Sequence, residues 1–270
     1  MSRTRYVVLF LLLLTLSSTV YAGESPFYTL KPAQVTPVLA ELHKRCHSLD
    51  ERMKALALLR EGTPYLLGCL GEEVPPDKNP LFRTDVTDCT VFVLTTCAMA
   101  HKKSYQDARE MMKLLNYHNP PVVGDKVVTY GNRLHFTYDR LHGNPCFKDI
   151  TCELLPPSKL AKVEITLNKK SDGTRLLDIP WERKVTAHYI PSVEITPALL
   201  SGLPGLCNVG FVRKKNFSLG LVISHEGLII DKKWLVHANS ISKKVQKQDF
   251  LTYFGGNSDY FDGIIIAKIL

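Results

Sequence analysis

The sequence predicts an α+β fold in which a helical layer packs on an antiparallel sheet, and three observations carry that expectation. Apolar residues recur at helical spacing in the first part of the chain, as far as Leu115. Short β-type runs replace them from Val163 onward, and helices followed by strands is the order of an α+β domain. The 270 residues are 45% hydrophobic and 22% charged, which is ordinary globular composition able to bury a substantial core. Disorder as the main state and collagen-like or low-complexity chains are thereby excluded.

The first 22 residues are read apart from the fold. Arg3 and Arg5 precede the apolar run Val7–Leu14, and Val20-Tyr21-Ala22 supplies small residues before Gly23. That three-part order is a secretory signal peptide, and its apolar core is well short of the ~20 residues a spanning helix needs. The expectation is an exported protein, periplasmic or secreted, without a membrane span. The mature chain, 23–270, is expected to form one domain with an elaboration at about 122–197.

Thr36-Pro37 has the form of a helix cap followed by proline at the first helical position, with Val38, Leu39 and Leu42 on the buried face. Met53, Leu56 and Leu59 mark a second helical face that Gly62-Thr63-Pro64-Tyr65 ends. Residues 71–80 hold three prolines and read as a loop. Asp88-Cys89-Thr90 opens a long apolar run to Ala100, and Ser104 with Asp107 caps a further helix. Beyond it, 122–197 reads as long and irregular apart from the alternating Val163–Leu167. Leu219–Ser224, Leu228–Ile230, Trp234–Ala238 and Ile264–Ile269 are short β-type runs.

The formal charge of +8 is modest, and the pairs Lys169-Lys170, Lys214-Lys215 and Lys243-Lys244 are scattered without aromatic interleaving, so no nucleic-acid partner is expected. His43, Cys46 and His47 share a helical face but lack a distant fourth ligand, which makes a poor zinc site. Zincin, P-loop and nucleophile-elbow motifs are missing. The seven cysteines leave at least one thiol free within a single chain, and Cys146 with Cys152 would close a short loop.

Cys89 is the candidate nucleophile. A thiol opening a helix meets the positive end of the dipole and unpaired N–H groups, both of which favour thiolate. His225 and His237 lie twelve residues apart about a turn at Asp231-Lys232-Lys233. A hairpin there sets the two imidazoles on neighbouring strands, one as base to the thiol and the other fixing its tautomer. Taken singly, Cys89 reads more readily as a small core residue or half of a disulfide, and each histidine as an exposed strand end. Their combined spacing is what points to catalysis.

Gly62-Thr63-Pro64-Tyr65, Asp88-Cys89-Thr90-x-Phe92, His225-x-Gly227 and His237-Ala238 resemble the NlpC-type papain-fold cell-wall hydrolases. Arg133-Leu134-His135-Phe136 and Gly220-Leu221-Val222-Ile223-Ser224-His225-Glu226-Gly227 resemble more closely the N-acetylmuramoyl-L-alanine amidase-like branch. The resemblance runs from about Leu56 to the C-terminus and departs at Leu94, where the family usually carries glutamate. It implies a papain-like α+β fold, Cys89 as nucleophile, His225 as base, His237 as orienting residue, and Tyr65 and Asp88 near the peptide end of the substrate. Taking Ser218-Leu219-Gly220 as the H-x-G segment would delete the base, and only His225 keeps the spacing to His237.

The function so implied is cysteine-dependent hydrolysis of an amide in peptidoglycan, between the muramic acid lactyl group and L-Ala. The other readings are a stem-peptide endopeptidase of the D-Glu-diaminopimelate type, a catalytically silent cell-wall-binding module, and a secreted effector acting on another organism. Cysteine chemistry calls for no cofactor or metal, and the partner is peptidoglycan or a muropeptide.

Overall fold

The computed structural model describes residues 25–270; the segment read as a signal peptide lies outside them. Eight strands form one antiparallel sheet: β1 Phe147–Asp149, β2 Ala161–Leu167, β3 Arg183–Pro191, β4 Leu206–Val212, β5 Ile223–Ile230, β6 Trp234–Asn239, β7 Lys244–Asp249 and β8 Gly263–Ile269. Their order is β2-β3-β8-β4-β5-β6-β7, with β1 pairing β8 as well. Helices α1 Pro32–Arg45, α2 Leu49–Leu59, α3 Cys89–His101 and α4 Tyr105–Leu115 come first in the chain. Four short helices follow: α5 Thr137–Gly143, α6 Thr151–Leu154, α7 Pro197–Gly202 and α8 Phe250–Gly255. Mixed α+β architecture on an antiparallel sheet is therefore observed. Among the described residues, no helix is long and apolar enough to cross a membrane.

Both faces of the central strands are covered, which explains why Leu228–Ile230 and Ile264–Ala267 read as unbroken apolar runs. Along β8, Ile265 and Ala267 join the core shared with α1–α4, while Ile264 and Ile266 join a second core with Phe211, Phe250 and Phe261. Leu228 and Ile230 in β5 face the first core and Ile229 the second. Helix α3 is buried without interruption from Val91 to Ala100, as expected of a helix apolar on every side.

Several expectations change. Helix α1 begins at Pro32 behind Lys31, whose backbone N–H is accepted by the Gln34 side chain at 2.9 Å. Pro37 lies inside that helix, and Thr36 Oγ1 instead accepts the Tyr105 N–H at the start of α4. The stretch 122–197 is far from irregular: it contributes α5, β1, α6 and the β2–β3 hairpin that borders the sheet. β5 starts at Ile223, because Lys214–Leu219 forms a 3₁₀ turn closed by Gly220 at φ +72°. All seven cysteines are free thiols, with Cys146 buried and Cys152 exposed.

Candidate active site

Asp88 caps α3 and puts Cys89 at its first helical position. One Asp88 oxygen accepts the Val91 N–H at 2.8 Å and the other the Gly68 N–H at 2.9 Å. The carboxylate thus ties the helix start to the loop carrying Tyr65, and both oxygens are engaged with backbone rather than left open. That loop is itself zipped in place: Tyr65 N–H donates to Lys243 O and Leu66 N–H to Thr87 O, each at 2.9 Å.

The histidines come from the β5–β6 hairpin, where Asp231 and Lys232 adopt positive φ and Ile230 pairs with Trp234. Continuing that register sets Gly227, not His225, across from His237. A Cβ on Gly227 would lie 2.8 Å from the His237 Cβ, so the glycine of H-x-G makes room for the neighbouring histidine. The register shift between Phe211 and Val212 leaves Ser224 as an extra residue immediately before His225. Such a bulge re-aims the side chain that follows it. His225 stacks on Phe211, with ring centres 5.3 Å apart.

His225 Nε2 lies 2.6 Å from His237 Nδ1, and His237 Nε2 lies 2.6 Å from the Gln248 side-chain nitrogen. Gln248, on β7, was not singled out in the sequence; polar and set between Lys247 and Asp249, it resembles any exposed edge residue. Its amide decides which way protons point along the chain. An amide nitrogen donating to His237 makes His237 Nδ1 the donor to His225, and the His225 proton then sits on Nδ1. Turning the amide over so that its oxygen accepts from His237 Nε2–H frees the His225 Nδ1 lone pair for a base.

On the other face of β5, the buried Glu226 carboxylate joins the elements. It accepts from Thr90 Oγ1 at 2.7 Å, Thr137 Oγ1 at 2.9 Å, Asn208 Nδ2 at 3.2 Å and the Arg140 guanidinium. Thr90 follows Cys89 and Glu226 follows His225, so this hub fixes nucleophile and base relative to one another. Cys89 and His225 line one cleft of about 400 Å³, together with Tyr65, Tyr253 and Tyr260. A smaller pocket of about 170 Å³ lies on the other flank of the α3 start, lined by Asp88, Thr90, Arg133 and His135.

Burial first, then the Asp88 and Glu226 carboxylates, push the Cys89 thiol up to about 12. Desolvation lowers His225 to about 4 and His237 to about 2. Desolvation thus works against the thiolate that the helix dipole favours. Burial also raises the Asp88 carboxyl, and raises Tyr65 to about 12. The alternative segment Ser218-Leu219-Gly220 belongs to the 3₁₀ turn, where a Cβ on Gly220 would lie 2.6 Å from the Lys169 backbone.

A family model described as N-acetylmuramoyl-L-alanine amidase-like matches residues 56–260. The chain belongs to this amidase-like family, a hydrolase family whose activity bears on peptidoglycan. Among solved structures, a Legionella pneumophila protein is similar at 22% identity and TM-score 0.71, covering 88% of this chain and 95% of its own. An N-acetylmuramoyl-L-alanine amidase from Bacteroides uniformis is similar at 20% identity and TM-score 0.65, covering 82% and 99%. At such identities the likeness establishes a shared fold. No curated protein matches the chain.

Proposed function

We propose that the protein is an exported cysteine amidase of the NlpC-type papain-like class, cleaving the amide between the muramic acid lactyl group and L-Ala. The observation that carries this reading is the Cys89 thiol at the head of a buried helix, sharing a cleft with a His225–His237–Gln248 chain. As Sγ attacks the lactyl carbonyl carbon, His225 Nδ1 takes the thiol proton; with both groups neutral at rest, transfer accompanies attack. The Cys89 backbone N–H, first in its helix, has no intrahelical acceptor and serves as a donor to the oxyanion. The imidazolium then protonates the leaving L-Ala nitrogen, giving a thioester and a peptide with a free amine. Water, deprotonated by His225, hydrolyses the thioester and restores the thiol. Family membership and the Arg133–Phe136 segment favour the lactyl amide over the stem peptide.

Site variants test the assignment. His225→Ala is expected to abolish turnover with folding intact, while Ser218→Ala, in the distant 3₁₀ turn, leaves it unchanged. A fully active His225→Ala protein overturns the base assignment.

A further inference from the structure

We propose that the rim of the cleft is a docking surface for a lipid bilayer bearing anionic headgroups. The proposal goes beyond the amidase reading and does not depend on which bond is cut. Apolar side chains held out into water, cations without carboxylate partners beside them, and polar residues in between carry it together.

Leu67, Ile241 and Tyr260 come from three separate loops, and all line the cleft of about 400 Å³. Leu67 is 75% exposed, Ile241 85% and Tyr260 48%. The loops hold them there. Leu66 N–H donates to Thr87 O and Gly68 N–H to Asp88, so the chain is bonded on either side of Leu67. Asn239 Oδ1 accepts the Ile241 and Ser242 N–H groups at 2.7 and 3.2 Å, and Lys243 O accepts the Tyr65 N–H. Those bonds fix the β6–β7 turn with Ile241 at its tip. Folding gains nothing from two aliphatic side chains kept in water, whereas an apolar contact outside the chain does.

Cations stand beside that rim. Lys244 pairs in register with Asn239, which lines the cleft, and strand alternation puts its side chain on the sheet face of Gln248 and His237. Lys243 lies 5.6 Å from the centre of the Tyr65 ring, and Arg213 lies 3.7 Å from that of Tyr260. Among the described residues none of these three has a carboxylate at ion-pair distance, while Lys214 engages Asp262. Asp259 is the exposed acid next to Tyr260, so the rim remains cationic. Arg213 also donates to the Tyr260 hydroxyl at 3.0 Å, and a ring with a polar tip and a cation suits headgroup depth.

Ser240 and Asn257 lie among the apolar side chains of the rim. A protein partner covers a continuous apolar core, which this alternation interrupts. A bilayer accepts isolated side chains at loop tips and draws Lys and Arg to its headgroups.

Vesicle sedimentation of the chain from Gly23, which holds every described element, tests the surface. The probes are vesicles of phosphatidylcholine alone and of phosphatidylcholine mixed with phosphatidylglycerol. Three cations, each worth about fivefold near an anionic surface, predict binding to the mixed vesicles stronger by about tenfold or more, and weakened by salt. Leu67→Ser combined with Ile241→Ser should weaken that binding about tenfold or more. Lys243→Gln combined with Lys244→Gln should bring it toward the level on neutral vesicles. Both double variants should keep the wild-type urea midpoint, because the altered side chains are exposed. No binding to the mixed vesicles, which leaves the rim to a protein partner, overturns the proposal. Equal binding to both kinds of vesicle, or binding that neither double variant weakens, overturns it as well. Failure of the amidase reading leaves this result untouched, since the measurement involves no turnover.

Discussion

At the residue scale the proposed mechanism runs a proton chain from the Cys89 thiol through His225 and His237 to an amide, and its far end gives the sharpest test. Gln248 touches neither Cys89 nor substrate; its role is to hold His237, and through it the tautomer of His225. Gln248→Leu is expected to lower kcat about tenfold, near the upper worth of one hydrogen bond, with KM unchanged. Gln248→Glu presents only acceptors, which keeps the His225 Nδ1 lone pair available, and adds a negative charge that raises both imidazoles. Its kcat should stay close to that of the wild type while the acid limb of the pH–rate profile moves to higher pH. An unchanged profile in both variants would remove Gln248 from the mechanism. His237→Gln should be milder than His237→Ala, because an amide still orients an imidazole.

At the scale of elements, catalysis depends on α3 and β5 keeping one spacing, and the buried Glu226 hub sets it. Glu226→Gln leaves Arg140, fully buried, without its counter-charge. Breaking such a pair costs about 3–5 kcal/mol, measurable as a lower urea midpoint, and kcat should fall with it. Unchanged stability would show that Arg140 finds another partner. Elements also show what the sequence could and could not carry. The candidate residues were legible as a group, since Asp88-Cys89 opens a continuous apolar run and His225 and His237 flank a turn. Local spacing encodes both. β4 was not legible, because Asn208 and Gly210 interrupt its pattern: Asn208 donates to Glu226, and Gly210 lies under the Ile223 side chain. β7 was hidden by the charges that an edge strand tolerates, and β3 by Lys184, Thr186 and His188, which alternate onto its exposed face. The papain-like expectation about Asp88 rested on resemblance, and only coordinates reveal that both its oxygens hold backbone N–H groups.

For the whole molecule, burying neutral histidines makes stability depend on pH in a definite direction. His225 and His135 each fall from 6.5 to about 4 and His237 to about 2 on burial. The unfolded chain therefore binds more protons than the fold once pH drops below 6.5, and stability declines from there through about 4. Above 6.5 these groups contribute no pH dependence. Urea unfolding at pH 7 and pH 5 should show that decline, and His225→Asn should shrink it; an equal decline in the variant contradicts neutral burial of His225. The fold as a whole brings Cys89 and His225 to one aromatic cleft, and the central claim is that this cleft receives the lactyl–L-Ala amide. Mass spectrometry of purified muropeptides digested with the protein tests it most directly. The account predicts sugar strands that retain the lactyl acid and peptides with free N-terminal L-Ala, both lost in Cys89→Ser. Peptides cut after D-Glu with the lactyl amide intact would contradict it.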